Sequence, residues 1–420
     1  MVREVNLNHI TKIEGHADLS LKIDKNKVKK CELRAAEGAR FFEALVLNKK
    51  VEDIQEIVSR ICGICSCAHT VASIQALEEA LNVKPTKHQL IMRELLMIGE
   101  RIRSHITHLY FLSLPDYYNA ASALNLKSEH QDKINRAISL ISLGNRVVEV
   151  FGGREIHPFP TIKEKLPNEK SDLIMKQLED SKPDLIKTIE LFSSLKYPDI
   201  KREADYLCLT DNDYASIFGK IKSNSGLIDE KDYKKHIKEN IKEYATSKFA
   251  LKDNKPYAVG AIARINNNYD KLDSETKSLI KRLKIDIPFK NPYHNNIAQA
   301  LELLHLTNRA ILLIKQLKPE NPKVKFKIKQ GTGVSAVEAP RGTLFHEYKI
   351  NSKGIITYCN IITPTVQNLN LIEQDITTLV NHCLKQKMGN DKIVDNVEKL
   401  IRAYDPCFSC STHFLRVKWL

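Results

Sequence analysis

Two short cysteine motifs near opposite ends of the chain place the strongest constraint on its fold. Each motif has two cysteines three positions apart and a histidine further on, namely Cys62, Cys65 and His69 in the first and Cys407, Cys410 and His413 in the second. Deprotonated cysteine is a soft ligand that nickel, iron and zinc all accept, and Gly63 lets the backbone turn so that the first two sulfurs face one point. One such pair is a weak signal. Two pairs predict a fold that gathers four thiolates.

Three simpler interpretations compete for these four thiols. A structural zinc site is the most serious, because CxxC pairs commonly bind zinc, although such pairs normally lie much closer in sequence. A disulfide pair is disfavoured in a reducing compartment. Ordinary core cysteines are the third interpretation, which suits those that stand singly: Cys31, Cys208, Cys359 and Cys383. Cys67 lies off the CxxC register and is interpreted as structural.

Length and cysteine usage bound the class of protein. A chain of 420 residues can form one large domain or two to three ordinary ones, and it can bury a core without disulfides. Nine cysteines and no secretory signal predict reduced thiols and a cytoplasmic location. No run approaches the roughly 18 uninterrupted apolar residues of a membrane span. We therefore expect no direct membrane insertion.

The formal charge of +14, from 65 Lys and Arg against 51 Asp and Glu, raises the question of nucleic-acid binding. The lysines are scattered, as in residues 25–30 and 231–235, with few aromatic residues between them. Dispersed lysine is usually a solvated surface. We expect no nucleic-acid partner.

Two stretches have the pattern of β-hairpins. Residues 17–24 alternate apolar and polar side chains, residues 24–27 form a turn, and residues 28–35 return as the partner strand. A second small hairpin is predicted within 343–362, turning at 351–354.

Helical periodicity dominates the rest. The longest pattern runs from about 86 to 114, and Pro115 is predicted to end it. Further helices are predicted at 41–47, 54–60, 70–81, 129–150, 172–195, 272–284, 296–317, 369–387 and 391–403. Residues 196–260 are more polar and are interpreted as an excursion from the core. The prediction is one mainly α domain over 1–420, of the α+β class, with a long-helix bundle core.

The two cysteine motifs resemble the two signatures of the large subunit of nickel-iron hydrogenases, in the same order and at the two ends of the chain. Further stretches that resemble motifs of that family are 13–16, 40–43, 104–108, 153–158, 338–342 and 363–365. The resemblance therefore spans essentially the full length. Among the subgroups, residues 37–43, 295–302 and 361–365 are most similar to the cytoplasmic, reversible, NADP-linked type. The heterodisulfide-reductase-linked, methyl-viologen-reducing type of methanogens remains open.

The resemblance implies a nickel-iron centre for reversible, heterolytic cleavage of dihydrogen. Cys62 and Cys407 would be terminal nickel thiolates, and Cys65 and Cys410 would bridge nickel to iron. The iron would carry carbon monoxide and cyanide, which are supplied by maturation proteins. Soft thiolates suit such a metal pair, and open positions between the metals leave room for hydrogen.

The resemblance also implies roles for residues around the metals. Cys407 would be the first proton acceptor and Glu14 its relay, since a buried carboxylate can take and release a proton near neutrality. The guanidinium of Arg341 and the neighbouring backbone of Ala339 and Pro340 would bind a cyanide nitrogen. Thr365 would donate to the other cyanide.

Histidines and a glutamate complete the implied set. His69 would donate to bridging Cys65. Glu43, the carbonyl of Ile361 and His413 would hold a separate magnesium or iron ion, since donors without a thiol suit a harder ion. His157 would lie towards the nearest iron–sulfur cluster of the partner. For His105 and His108, a satisfied core histidine is at least as good an interpretation.

The implied partners are an iron–sulfur small subunit, flavin and NADP reductase subunits, and a maturation protease. The protease would remove residues 414–420, which follow His413 where mature family members end. Lys12 departs from the arginine of many relatives, so an ion pair there is predicted to be altered. The alternatives are a non-catalytic relative, which typically loses the thiols, and a zinc-stabilised binding protein.

Overall fold

The structure, a computed structural model, describes residues 2–126, 128–159, 171–214, 217–318 and 327–412. Long helices form its centre and small, mostly antiparallel sheets flank them, which confirms the predicted α+β class. The α-helices are α1 (Phe42–Leu45), α2 (Ile54–Ser59), α3 (Ser66–Leu81), α4 (Lys87–Ile106), α5 (Leu114–Tyr117), α6 (Gln131–Gly152), α7 (Ser171–Ser194), α8 (Tyr233–His236), α9 (Ala261–Asn268), α10 (Ser274–Arg282), α11 (Asn295–Gln316), α12 (Pro364–Lys385), α13 (Asn390–Ala403) and α14 (Phe408–Ser411).

The strands form five small sheets in the described part of the chain. Two three-stranded sheets have strands of six to nine residues. The first contains β1 (Val2–Leu7), β2 (Ala17–Asp24) and β3 (Lys27–Ala35), and the second contains β11 (Gly331–Ala339), β12 (Gly342–Ile350) and β13 (Ile356–Ile362). The remaining sheets pair β4 (Asp205–Tyr206) with β10 (Tyr257–Ala258), join β5 (Cys208–Thr210), β6 (Lys220–Ser223) and β7 (Gly226–Ile228), and pair β8 (Ile237–Ile241) with β9 (Lys248–Lys252).

Both predicted hairpins exist, and each gains a third strand. Strands β2 and β3 pair in the predicted antiparallel register, and β1 adds to the edge of β2. Strand β11 likewise pairs with β12 of the second hairpin. Both hairpin predictions are therefore confirmed. The added strand stabilises each hairpin, because an isolated two-stranded unit buries too little surface.

The longest helix begins as predicted but does not end at Pro115. A capping box closes its start, where the Thr86 hydroxyl accepts the Gln89 N–H and the Gln89 side chain accepts the Thr86 N–H. After α4 the chain continues through a π-helical segment, Thr107–Ser113, into α5, which carries Pro115 in its first turn. The wide π turn has already broken the regular hydrogen-bond ladder, so the missing proline N–H costs little there.

The prediction that residues 196–260 form an excursion from the core was also wrong. Leu207, Leu209, Phe249 and Tyr257 are fully buried, and three of them pack with residues of β11, β12 and β13 in one apolar cluster, namely Leu207, Leu209 and Tyr257. Strands of two to five residues carry too little periodicity to be recognised in a polar segment.

Close backbone contacts at glycine fix the central helices. A Cβ on Gly144 of α6 would lie 2.8 Å from the Arg103 backbone nitrogen of α4, so only glycine allows this crossing. One helix of the described residues, Pro292–Gln316, is long and apolar enough to cross a membrane, but 83% of its most apolar window is buried inside the protein. A core helix of a folded domain gives the same weak signal.

Candidate metal centre

The sulfurs of the two cysteine motifs lie together in one buried cluster. All four Sγ atoms are within 4.8 Å of one another, and each residue is at most 6% exposed. Cys62 faces Cys407 with 3.6 Å between the sulfurs, and Cys65 faces Cys410 with 3.1 Å. The pairs that face each other are those that the resemblance treats as terminal and as bridging.

Helix capping positions the first motif. Cys65 is the N-cap of α3, and the Glu100 carboxylate of α4 accepts the N–H groups of Cys67 and Ala68 at 2.6 and 3.1 Å. A carboxylate satisfies the open amides and the positive end of the helix dipole there. Strand β11 packs on α3 so closely that a Cβ on Gly333 would overlap the helix backbone. The packing of α3 against α4 and β11 therefore fixes the position of Cys62 and Cys65.

The second motif is held from two other directions. Asp405 adopts a left-handed conformation (φ 50°), which turns the chain after α13 towards Cys407, the N-cap of α14. The Cys407 N–H donates to Thr365 Oγ1 at 2.8 Å. The Phe408 N–H donates to the carbonyl of Glu14 at 2.9 Å. The start of α12 and the loop between β1 and β2 thus hold the late cysteines against the early ones.

The electrostatics of the cluster keep most of its thiols neutral unless a cation binds. Burial raises the pKa of the Cys407 and Cys410 thiols well above the ordinary value, whereas hydrogen bonds from Cys407 and then Cys410 hold the pKa of Cys62 well below it. Four adjacent thiols in a low dielectric cannot all ionise unless positive charge compensates them. The donor set therefore fits soft, multivalent metal.

Glu14 touches this cluster directly. Its Oε2 accepts from the Cys407 thiol at 2.9 Å and from the Ser409 N–H at 3.3 Å, and its Oε1 accepts from the Ser409 hydroxyl. The residue is half-buried rather than fully enclosed. One carboxylate oxygen thus contacts the sulfur while part of the side chain is exposed to solvent. Ser409 was missed from the sequence, although it lies inside the second CxxC motif.

Arg341 lies over the cluster in the turn between β11 and β12. Its Nε donates to the Asp405 carbonyl at 2.8 Å, and its Nη2 lies 3.0 Å from Asp405 Oδ1. Its buried Nη1 has no hydrogen-bond partner among the described residues. Gly342 follows with φ 136°, where a Cβ would collide with Val259. One donor of the guanidinium is therefore available inside the site.

A small cavity separates these groups from the sulfurs. Its lining is Cys65, His69, Ala339, Arg341, Leu344, Pro364, Thr365, Cys407 and Cys410. The Thr365 hydroxyl accepts the Cys407 N–H, so its own proton is left to donate elsewhere. The structure thus brings Thr365, Ala339 and Arg341 together with the thiols. An acceptor placed in the cavity would meet donors from both sides.

A buried ionic network that sequence reasoning missed supports the turn between β11 and β12. Arg264 of α9 pairs with both oxygens of Glu302 at 2.6 and 2.7 Å and with Glu338 at 2.8 Å, and none of the three is exposed. It also donates to the carbonyls of Ala339 and Pro340 at 3.1 and 2.9 Å. Both glutamates lie in stretches that resemble family motifs, but no spacing rule connects them with Arg264.

His69 has a neighbour that the sequence did not indicate. Its Nδ1 lies 3.0 Å from Nε2 of His346, whose Nδ1 lies 2.7 Å from the Tyr348 hydroxyl. His105 and His108 are held inside the core: His105 Nε2 bonds Glu302 at 2.9 Å, and burial lowers its pKa to about 4. His108 bonds a side-chain oxygen and a backbone carbonyl on its two ring nitrogens. A core interpretation suits both.

The expected second metal site is only partly assembled by the described residues. The Glu43 carboxylate accepts the N–H of Ile361 at 2.8 Å. The ammonium of Lys248 lies 2.8 and 3.0 Å from the two Glu43 oxygens and 3.2 Å from Glu239. His413 and residues 414–420 lie outside the described residues. A lysine, which the sequence did not point to, thus already supplies positive charge where a metal ion was predicted.

Other predicted residues lie as follows. His157 is half-buried and its Nδ1 contacts the Ser59 carbonyl at 2.9 Å. Lys12 does form an ion pair, with Asp116. Cys31 and Cys359 are only partly buried rather than fully inside the core as predicted, although both pack against apolar core clusters.

Four buried thiols around a small cavity, with a guanidinium above and a carboxylate beside them, fit a cysteine-ligated metal centre. The family model described as "Nickel-dependent hydrogenase" matches residues 40–158 and 210–413. The chain belongs to the nickel-dependent hydrogenase family and is an oxidoreductase of that kind.

Individual relatives agree along the whole length. The chain is 36% identical to the alpha subunit of sulfhydrogenase 1 of Pyrococcus furiosus, with 98% of each chain covered. It is 30% identical to the alpha subunit of sulfhydrogenase 2 of the same organism, covering 98% of this chain and 100% of that one. The corresponding subunit of the F420-non-reducing hydrogenase vhc of Methanococcus voltae is 27% identical, with 98% and 95% covered. An NAD+-reducing [NiFe]-hydrogenase structure superposes with a TM-score of 0.86 over 98% and 99% of the two chains at 24% identity, which shows the shared fold.

Proposed function

We propose that this chain is the catalytic large subunit of a nickel-iron hydrogenase that cleaves dihydrogen reversibly into protons and electrons. The observation that carries the proposal is the meeting of the four sulfurs, encoded 345 positions apart, within 4.8 Å. Family membership supports the reaction class. Cys62 and Cys407 would hold nickel, and Cys65 and Cys410 would bridge to iron.

The residues present fit such a centre. Thiolates are the soft donors that it needs, and the buried Arg341 Nη1 lacks an acceptor that a cyanide nitrogen would supply. The Thr365 hydroxyl is a second available donor. When bound, the metal pair supplies the Lewis acidity that splits a weak acid such as dihydrogen.

The chain's own contribution to the reaction is proton transfer and positioning. The Cys407 sulfur accepts the proton and passes it to Glu14 Oε2, 2.9 Å away. The N–H and hydroxyl of Ser409 both donate to the Glu14 carboxylate, which keeps Glu14 Oε2 within hydrogen-bond distance of the Cys407 sulfur. Arg341 is in turn held by Asp405, which fixes its remaining donor over the cavity.

Electrons must leave through a partner. Among the described residues, no second cluster of three or more metal-ligating side chains lies together. We therefore propose an iron–sulfur small subunit, with a flavin subunit that reduces NADP behind it. The higher identity to two sulfhydrogenase alpha subunits than to the F420-non-reducing subunit favours a sulfhydrogenase-like type over the F420-non-reducing type. We further propose that the chain is cytoplasmic and forms one domain over residues 1–420. A metal ion would bind at Glu43, Ile361 and His413, and a protease would remove residues 414–420.

The test uses the assembled complex purified without oxygen. We expect nickel and iron in equal amounts, hydrogen-dependent reduction of a viologen dye, and infrared bands of iron-bound carbon monoxide and cyanide. Zinc alone would instead support a zinc-stabilised binding protein, and absence of metal a non-catalytic relative. Hydrogen-dependent reduction of NADP by the complex tests the acceptor separately.

A further inference from the structure

Three buried side chains, Tyr348, His346 and His69, form a hydrogen-bonded chain, here called the file, that ends at the cavity beside the thiols. His346 and Tyr348 project from the same face of β12, since side chains two positions apart share a face. His69 projects from the second turn of α3. All three are at most 1% exposed. The Tyr348 hydroxyl lies 2.7 Å from Nδ1 of His346, and Nε2 of His346 lies 3.0 Å from Nδ1 of His69.

The order of donors along this file follows from the chemistry of its members. Burial raises the pKa of Tyr348 well above its ordinary value, so its hydroxyl keeps the proton and donates it to an acceptor. A neutral imidazole has one N–H and one acceptor nitrogen. If His346 accepts from Tyr348 at Nδ1, its proton lies on Nε2 and is donated to Nδ1 of His69. His69 then carries its own proton on Nε2.

The opposite order is unfavourable at the metal centre. His69 lines the cavity beside Cys65. With its proton on Nδ1, the ring would offer the cavity a lone pair, which repels the lone pairs of a thiolate. With its proton on Nε2, it offers a donor that a thiolate accepts.

We propose that Tyr348 and His346 are positioning residues that hold His69 in the tautomer with the proton on Nε2, so that His69 donates to the thiolate of Cys65 when the centre is loaded. The proposal rests on the proposed function, because the thiolate exists only in the loaded centre. A hydrogen bond to this sulfur would withdraw electron density from an iron that the sulfur holds.

The experiment compares infrared spectra of the complete complex carrying Tyr348→Phe or His346→Leu with that of the wild type. Losing the donor to the thiolate leaves more electron density on iron, so the iron-bound carbon monoxide band is expected to shift to lower wavenumber in both variants at unchanged nickel and iron content. Tyr358→Phe on the neighbouring strand β13 is the matched control and is expected to leave the band in place.

Unshifted bands in both loaded variants would overturn the proposal. Failure of both to load metal, while Tyr358→Phe loads fully, would also overturn it, because the file would then have a purely structural role. A wild-type complex without carbon monoxide and cyanide bands would contradict the proposed function itself, which keeps the two failures distinguishable.

Discussion

The thiol cluster and the Glu43 cluster were both predicted as metal sites, and the structure builds them differently. In the thiol cluster, four donors surround a cavity, and a guanidinium nitrogen above it lacks a partner among the described residues. In the Glu43 cluster, the carboxylate accepts an amide and both oxygens contact the Lys248 ammonium. The first is a set of thiols that can all ionise only with a bound cation, whereas the carboxylates of the second already contact an ammonium.

The difference has an energetic consequence. A divalent ion and an ammonium about 4 Å apart repel each other by on the order of 8 kcal/mol at an effective dielectric of about 20. Glu43 and Glu239 offset that repulsion only in part, since burial raises the pKa of Glu239. A metal at Glu43 must therefore displace Lys248 or share both carboxylates with it.

The largest expected effect is loss of metal, which should follow substitution of a cysteine inside the thiol cluster but not of a buried cysteine beside it. Cys410→Ala in the assembled complex is expected to lose nickel, iron and hydrogen-dependent dye reduction completely, because one of four ligands is gone. Cys67→Ala, two positions from Cys65 but outside the sulfur cluster, should retain all three. Elemental analysis and dye reduction check both; full activity of Cys410→Ala would contradict the assigned centre.

The next effect compares one glutamate from each cluster. Glu14→Gln removes the proton acceptor on Cys407 and is expected to lower hydrogen turnover by about 10²–10⁴-fold at unchanged metal content. Glu43→Gln removes one of the two carboxylates that pair with Lys248 and should lower thermal stability while turnover per nickel persists. Equal turnover of Glu14→Gln and wild type would remove Glu14 from the proton route.

A smaller effect tests the cation at Glu43. Lys248→Met leaves Glu43 and Glu239 without their ammonium and is expected to lower the free energy of unfolding by about 3–5 kcal/mol. Magnesium should restore part of that loss in the variant, because the carboxylates are then free to bind it. The measurement is thermal unfolding with magnesium or a chelator. A wild type that loses stability in chelator would show that a metal already shares the site.

The smallest effect concerns the carboxylate that caps the cysteine-bearing helix. Burial raises the pKa of Glu100 from 4.5 to about 7, so the folded state binds more protons than the unfolded state between these values. Its contribution is complete below the lower value and is lost as pH rises through the higher one, by about 3 kcal/mol. Denaturant unfolding of wild type and Glu100→Gln at about pH 5 and about pH 8 measures the difference. A pH-independent difference between them would refute the assignment.

Much of the fold was predictable from local pattern. The bounds of α6, α7, α11 and the β2–β3 hairpin follow from periodicity and turn residues, because each element carries its own apolar face. The π-helical segment before Pro115 and the buried short strands between 205 and 258 were not predictable. Their stability comes from neighbours distant in sequence, which leave no local periodicity.

The candidate site divides in the same way. The cysteine ligands were evident because a CxxC spacing fixes the relative position of its own two sulfurs, wherever the chain later carries them. Arg264, Lys248, His346 and Ser409 were not evident, since a side chain becomes an ion-pair or hydrogen-bond partner only when packing brings it within about 3 Å of another. Residue type and spacing therefore specify the chemistry that the chain can perform, whereas charge balance and proton position at each group depend on contacts that form only on folding.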